Sequence, residues 1–348
     1  MADVSSSAPP SYSVGILGAS GFAGVELLRM LAVHPHFEVR VAGADSQAGV
    51  PVADLYPSLA AAYPDLTFTA AGVDDVAGLD LVFLGLPHGI SQDIVPALRG
   101  KVRWIVDAAS DFRLRDPALY PEWYGDEHRA PELLAAAAYG IPELFRDQII
   151  GSDLVAVAGC YPTGAALAIA PVVRSGLLNP AKVIVDAATG VSGAGRPPKD
   201  HTTFCAADEN FTAYGLLDHR HTPEIEQATG ATVLFTPHLA PMSRGIFTTA
   251  YGVPMPDHDP HRVLDVLAEF YADEPCVVVD ERIPSTKATM GANTAHLSAR
   301  YDERTATVIL MSAIDNLVKG TSGQAVQCAN LMAGLPETTG VPLIGLMP

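Results

Sequence analysis

Apolar residues run almost unbroken through residues 12–18 (YSVGILG), the pattern of a short strand buried on both faces. Residues 21–33 follow with Leu27, Leu28 and Leu31 at helical spacing, and Pro35 marks where that helix has already ended. Residues 37–44, 80–86 and 102–107 are again strand-like, with a helix expected near 90–98, and 154–158 (LVAVA) is another buried strand. Strands and helices alternating at this spacing predict right-handed crossovers and a parallel sheet.

Beyond residue 160 the pattern changes. An apolar helix (ALAIAPVV) comes first, and strands are then expected near 181–188, 231–237, 245–254, 295–301 and 305–313. They lie closer together and alternate more often, with clear helices only near 222–229 and 261–272 and a last one at 319–334. A second domain follows from this, with a mixed or antiparallel sheet covered on one face by helices. The length agrees: 348 residues at roughly 150 per domain is about two domains.

Composition narrows the function. Lys and Arg number 21 against 39 Asp and Glu, a net charge of −18, which argues against a general nucleic-acid binder. It leaves anionic small substrates open, because local arginines decide their binding. No apolar run reaches the ~18–20 residues that span a bilayer. The opening MADVSSSAPPSYS has neither the basic nor the apolar region of a signal peptide and is read as a tail. Four cysteines, none in a CxxC pair, are too few and scattered for a disulfide framework. The expected class is a cytosolic enzyme in which one cysteine is special.

Two motifs carry chemistry. Gly18, Ala19, Ser20, Gly21, Phe22, Ala23 and Gly24 form GxxGxxG between the first strand and the first helix. Glycines there let the backbone approach a pyrophosphate, and the helix start offers unpaired N–H groups. After the second strand, Asp45-Ser46-Gln47 contains no basic residue for a 2′-phosphate; Asp45 would repel one, while Ser46 and Gln47 could donate to it. The second motif, Gly159-Cys160-Tyr161-Pro162-Thr163, places Cys160 at a helix start, where the dipole is expected to lower the thiol pKa and favour attack on an acyl carbon. Cys205, Cys276 and Cys328 lack such a setting and are read as structural.

Partners for the thiol are sought in His219-Arg220-His221-Thr222-Pro223-Glu224, where a histidine can relay protons near neutral pH. Two histidines with no completing ligand set do not make a zinc site. Arg113, Arg196 and Arg244 each follow or precede a strand in a loop and are candidates to hold anions.

GASGFAGVELLRML, LGLPHGIS, SDFRL, YGIPEL, GCYPTGA, SGAGR, HRHTPEI, SRGI and DNLVKGTSGQAVQ occur in this order. With them the chain resembles the N-acetyl-γ-glutamyl-phosphate reductases, a family of the aspartate-semialdehyde dehydrogenase superfamily, from about residue 13 to the C-terminus. The resemblance implies an α/β Rossmann dinucleotide-binding domain, residues 13–159 with 317–348, and an α+β catalytic and dimerisation domain with a mixed sheet, residues 160–316, after a tail over 1–12. It implies NADPH-dependent reduction of an acyl phosphate to an aldehyde, with Cys160 as nucleophile and His219 or His221, His219 preferred, as acid/base. It places Gly18, Ala19, Ser20, Gly21, Gly24, Ser46, Pro87, Ser192, Gly193 and Asn316 on NADP(H), and Arg113, Arg196, Arg244 and Glu224 on the substrate, with no metal. Many relatives look like Ser-Arg where this chain has Asp45-Ser46-Gln47. A homo-oligomer, dimer or tetramer, in the cytoplasm is expected, with neither nucleic acid nor membrane as partner. Three rivals remain: the same chemistry on another acyl phosphate, a non-enzymatic NAD(P)-binding regulator, and a plain zinc protein.

Overall fold

The computed structural model describes residues 11–347. The expected tail falls outside them except at its end, where β1 already begins at Tyr12. Six strands make the first sheet: β1 (Tyr12–Leu17), β2 (Phe37–Gly43), β3 (Leu81–Leu84), β4 (Trp104–Asp107), β5 (Ala138–Gly140) and β6 (Leu154–Val157). All pair in parallel, in the order β2-β1-β3-β4-β6-β5. Every residue of β3, β4 and β6 is buried, because both faces of the sheet are covered. Period-two alternation sorts their side chains into two cores. Phe83, Val106, Val155 and Val157 join one, and Val82, Leu84, Ile105 and Leu154 the other.

Helices α1 (Phe22–Leu31), α2 (Ser91–Leu98) and α3 (Pro142–Ile149) belong to this half of the chain. α4 (Cys160–Arg174) then leads into the second sheet, which holds β7 (Val183–Thr189), β8 (Thr212–Ala213), β9 (Val233–Leu239), β10 (Ile246–Gly252), β11 (Val277–Val279), β12 (Ala295–Asp302) and β13 (Thr307–Ile314). Its order is β11-β12-β13-β10-β7-β9-β8. The β7–β9 and β11–β12 pairs are parallel and the others antiparallel, so the sheet is mixed. β7, β9 and β10 alternate strictly between buried and less buried positions. Their inward residues share one core with α4, α5 (Thr222–Thr229) and α6 (Val263–Phe270).

The chain then turns through a π-helical segment, Val318–Ser322, into α7 (Gly323–Met332). Val318, Ala325, Val326, Cys328, Ala329 and Met332 pack with Val14, Ile16 and Phe83 of the first sheet. The end of the chain thus returns to the core where it began. At this return the ammonium of Lys319, fully buried, meets Glu143 of α3 at 2.5 Å and Gln327 at 2.9 Å.

Candidate active site

The three glycines of the phosphate loop do three different jobs. Gly18 follows β1 with φ of +91°, and a Cβ on it would stand 2.3 Å from the carbonyl oxygen of Gly85. A Cβ on Gly24 would stand 2.4 Å from the carbonyl oxygen of Ala19, so this glycine lets α1 lie against the loop. Gly21 caps α1, has nothing closer than 3.5 Å to a would-be Cβ, and leaves its face open. α1 has no acidic residue in its first turn, so nothing opposes an anion at its N-terminus. These features fit a dinucleotide pyrophosphate.

A cavity of about 770 Å³ opens from this loop. Of the residues expected on the cofactor, Gly18, Ser20, Gly21, Ser46, Pro87, Ser192, Gly193 and Asn316 line it, and so does Cys160. Ala19 and Gly24 do not line it; they lie buried behind the loop. Asn316 is braced on both sides of its amide: Nδ2 donates to Ser192 Oγ at 3.0 Å, and Oδ1 accepts from the Gly245 N–H at 2.7 Å.

Cys160 is the first residue of α4, directly after the extended cap residue Gly159. Gly159 is required there. A Cβ on it would lie 2.6 Å from His221 Nε2 and 3.0 Å from an Arg113 guanidinium nitrogen. Gly320, in the π turn, packs on Cys160 from the other side, since a Cβ on it would lie 2.8 Å from that of Cys160. The thiol pKa differs from expectation. Burial pushes it up to about 11, although Arg113 and the Tyr161 N–H pull the other way. Desolvation outweighs these pulls and favours the neutral thiol.

Both histidines are neutral too. Burial, with Arg220 adding to it, brings His219 down to about 4. Burial and the nearby His219, Arg113 and Arg220 hold His221 well below the ordinary histidine value. His219 Nδ1 accepts the His221 backbone N–H at 3.1 Å, which leaves its Nε2 as the free nitrogen. His221 has a buried Nδ1 with no hydrogen bond. The two rings stand 4.8 Å apart and share Tyr161 as an edge-on neighbour.

The arginines divide. Arg113 is buried beside the Gly159–Cys160 turn: Nε donates to the Val157 carbonyl at 2.8 Å and NH2 to that of Ala108 at 2.9 Å, while NH1 faces Gly159. Arg244, expected on the substrate, is instead held between two carboxylates, Glu26 at 2.6 Å and Asp315 at 3.3 Å, and does not line the cavity. Arg196, also expected there, sits in the cofactor cavity wall. Glu224, also expected on the substrate, is fully buried, and one of its two carboxylate oxygens carries its hydrogen bonds. Oε1 accepts from the Tyr139 hydroxyl at 2.8 Å and the Gly159 N–H at 2.7 Å, and Oε2 faces Arg113 at 3.6 Å. It positions the Gly159–Cys160 turn and Arg113 beside it. Asp315, Gly320 and the Tyr161–Tyr214 hydroxyl pair at 3.1 Å are not among the residues expected from the sequence. The DN and KG pairs of DNLVKG are the only signal for the first two.

Comparison with known proteins fits this geometry. Residues 13–152 match the model described as semialdehyde dehydrogenase, NAD binding domain, and residues 160–316 that described as semialdehyde dehydrogenase, dimerisation domain. Among solved structures, an aspartate semialdehyde dehydrogenase II from Vibrio cholerae shares the fold with a TM-score of 0.71 at 15% identity, covering 94% of this chain and 99% of that one. An aspartate semialdehyde dehydrogenase with NADP from Candida albicans does so at 0.68 and 15%, covering 92% and 98%. Fold and site together define an NAD(P)-binding reductase of the semialdehyde dehydrogenase class. Relatives fix the family within it. The N-acetyl-gamma-glutamyl-phosphate reductase of Symbiobacterium thermophilum is 45% identical over 337 residues, 94% of this chain and 97% of that protein. The protein of the same name from Desulforudis audaxviator is 44% identical over 346 residues, 96% and 99%. The chain belongs to the N-acetyl-gamma-glutamyl-phosphate reductase family.

Proposed function

We propose that the chain reduces N-acetyl-L-glutamyl 5-phosphate to N-acetyl-L-glutamate 5-semialdehyde with NADPH, the reductive dephosphorylation step of arginine biosynthesis, through a thioester on Cys160. One observation carries this: a single cavity joins the phosphate loop to Cys160, so a bound dinucleotide and a cysteine-bound acyl group meet in one space.

Cys160 Sγ attacks the acyl carbon as its proton passes to a neutral imidazole of the His219–His221 pair. The C–S bond forms, the C–O bond to phosphate breaks, and phosphate leaves with the electron pair. When bound, the reduced cofactor supplies hydride to the thioester carbon. The imidazolium returns its proton to the resulting oxyanion, and the backbone N–H groups of Cys160 and Tyr161, which act on the thiol, suit that charge before the proton arrives. The hydroxyl proton then moves back through the imidazole to sulfur as the C–S bond breaks, leaving aldehyde and thiol. Arg113, buried beside Gly159, is the cation for the anionic acyl phosphate. Glu224 keeps that cation and the Gly159 backbone in place.

The same reading divides the chain into a cofactor unit, 13–159 with 317–348, and a catalytic unit, 160–316. It takes the protein as a homo-oligomer, dimer or tetramer, of the cytoplasm. Phe204, Phe211, Leu216 and Leu217 stand exposed within the stretch that matches a dimerisation domain. No described helix is long and apolar enough to cross a membrane. The activity is tested in reverse, as phosphate-dependent reduction of NADP by N-acetylglutamate semialdehyde. A regulator that only binds dinucleotide would give no turnover.

A further inference from the structure

The 2′-phosphate of NADPH needs a cation, and the usual place for one, the end of β2, holds Asp45-Ser46-Gln47. Asp45 and Ser46 both line the cofactor cavity. Among the described residues that line it, two are charged, Asp45 and Arg196. Arg196 reaches the cavity from the other half of the chain, at the end of the segment that follows β7. The base of that segment is tied down. Val191 N–H donates to the Met242 carbonyl at 2.9 Å, Ser192 N–H to that of Ser243 at 3.1 Å, and Asn316 holds the Ser192 hydroxyl. Gly195, with φ of +87°, turns the chain just before the arginine.

Arg113 is taken up by the acyl phosphate in the proposed reaction and Arg244 is held between two carboxylates, but Arg196 makes no hydrogen bond and no ion pair with any described residue. It shares the cavity wall with Ser20 and Gly21 of the phosphate loop, and Tyr56, whose hydroxyl donates to the Ser20 carbonyl at 2.7 Å, feels its charge. The pyrophosphate is served by that loop and by the N-terminus of α1. Two charges are then left without a partner, the substrate carboxylate and the 2′-phosphate, and Arg196 shares its wall with Ser46 at the end of β2, where a 2′-phosphate lies.

We infer that Arg196 is the cofactor-specificity residue of this chain, crossing from the catalytic half to hold the 2′-phosphate of NADPH beside Ser46. It does what an arginine after β2 would otherwise do, and it offsets the repulsion from Asp45. A guanidinium suits this task because its planar fork donates two hydrogen bonds to one phosphate. The inference rests on the proposed NADPH-dependent reduction.

Calorimetric titration of the full chain with NADPH and NADH tests it. Arg196→Ala should weaken NADPH binding about 10- to 100-fold, the loss of one charge-assisted contact, and leave NADH within about twofold of wild type. Arg196→Lys should fall between, and the melting temperature without nucleotide should stay at the wild-type value. Titration with 2′-phospho-ADP-ribose and ADP-ribose should repeat the split. Equal losses for both nucleotides would assign Arg196 to the pyrophosphate and overturn the inference, as would unchanged NADPH affinity. A wild-type chain that binds neither nucleotide would instead refute the proposed function itself.

Discussion

At the scale of single residues, the amino-acid sequence singles out one cysteine as the candidate nucleophile but does not reveal its protonation state. Strand, glycine, cysteine and a helix with an early proline are enough to mark Cys160. The helix terminus suggests a lowered pKa, but burial raises it to about 11. How deeply a side chain is buried depends on what folds over it, here Gly320 from the opposite end of the chain. A consequence follows for alkylation. Without substrate, the rate of iodoacetamide addition to Cys160, followed by mass spectrometry, should climb about tenfold per pH unit from neutrality and level off only near pH 11. A plateau below pH 8 would mean that the free site already stores a thiolate. Glu224 and Arg244 differ from expectation for a related reason. Their partners are Gly159, Tyr139 and Arg113 for one, and Glu26 and Asp315 for the other. Nothing local in the sequence announces pairings over such separations.

At the scale of elements, long patterned segments are legible. The buried strands β3, β4 and β6, the alternating β7, β9 and β10, and helices α4, α5 and α6 lie close to where periodicity puts them. β5, β8 and β11 give no such signal, because two or three residues are too few to show a period. α3 is likewise absent from the expected elements; it follows directly on a short Ala-rich run that shows no helical stripe. The expected helix over 319–334 is really a π turn followed by α7. That turn brings Gly320 against Cys160. Gly320→Ala would put a methyl group 2.8 Å from the Cys160 Cβ, so one of the two must move. A displacement of about 1 Å at a reacting atom costs on the order of 100-fold in rate. The variant should therefore lose about that much kcat while NADP affinity, measured by titration, stays near wild type. Unchanged kcat would show that the π turn does not set the position of the thiol.

At the scale of the whole molecule, the return of the chain end to the first core depends on an ion pair with no access to water. Lys319 and Glu143 are both fully buried, with Gln327 bonded to each. Burial alone would raise the Glu143 carboxyl, but Lys319 overcomes it and holds the pKa below the ordinary value. The resulting stabilisation is complete above the unfolded carboxyl pKa and is lost as pH falls through the lower folded one. Lys319→Met should strand the carboxylate and cost about 3–5 kcal/mol in denaturant unfolding at neutral pH. A loss below about 1 kcal/mol would show that the pair does not hold the junction. The net charge of −18 gains meaning in the same frame. In a chain this acidic, the placement of a few arginines decides where an anion can bind: Arg113 beside the Gly159–Cys160 turn and Arg196 on the cofactor wall.

The central claim is that Cys160 carries the acyl group during reduction. Phosphate-dependent reduction of NADP by N-acetylglutamate semialdehyde, measured for wild type and Cys160→Ser alongside nucleotide titration, tests it directly. The account predicts turnover in the wild type, a loss of at least about 1,000-fold in the variant, and equal NADP affinity in both. Turnover near the wild-type rate in Cys160→Ser would contradict it.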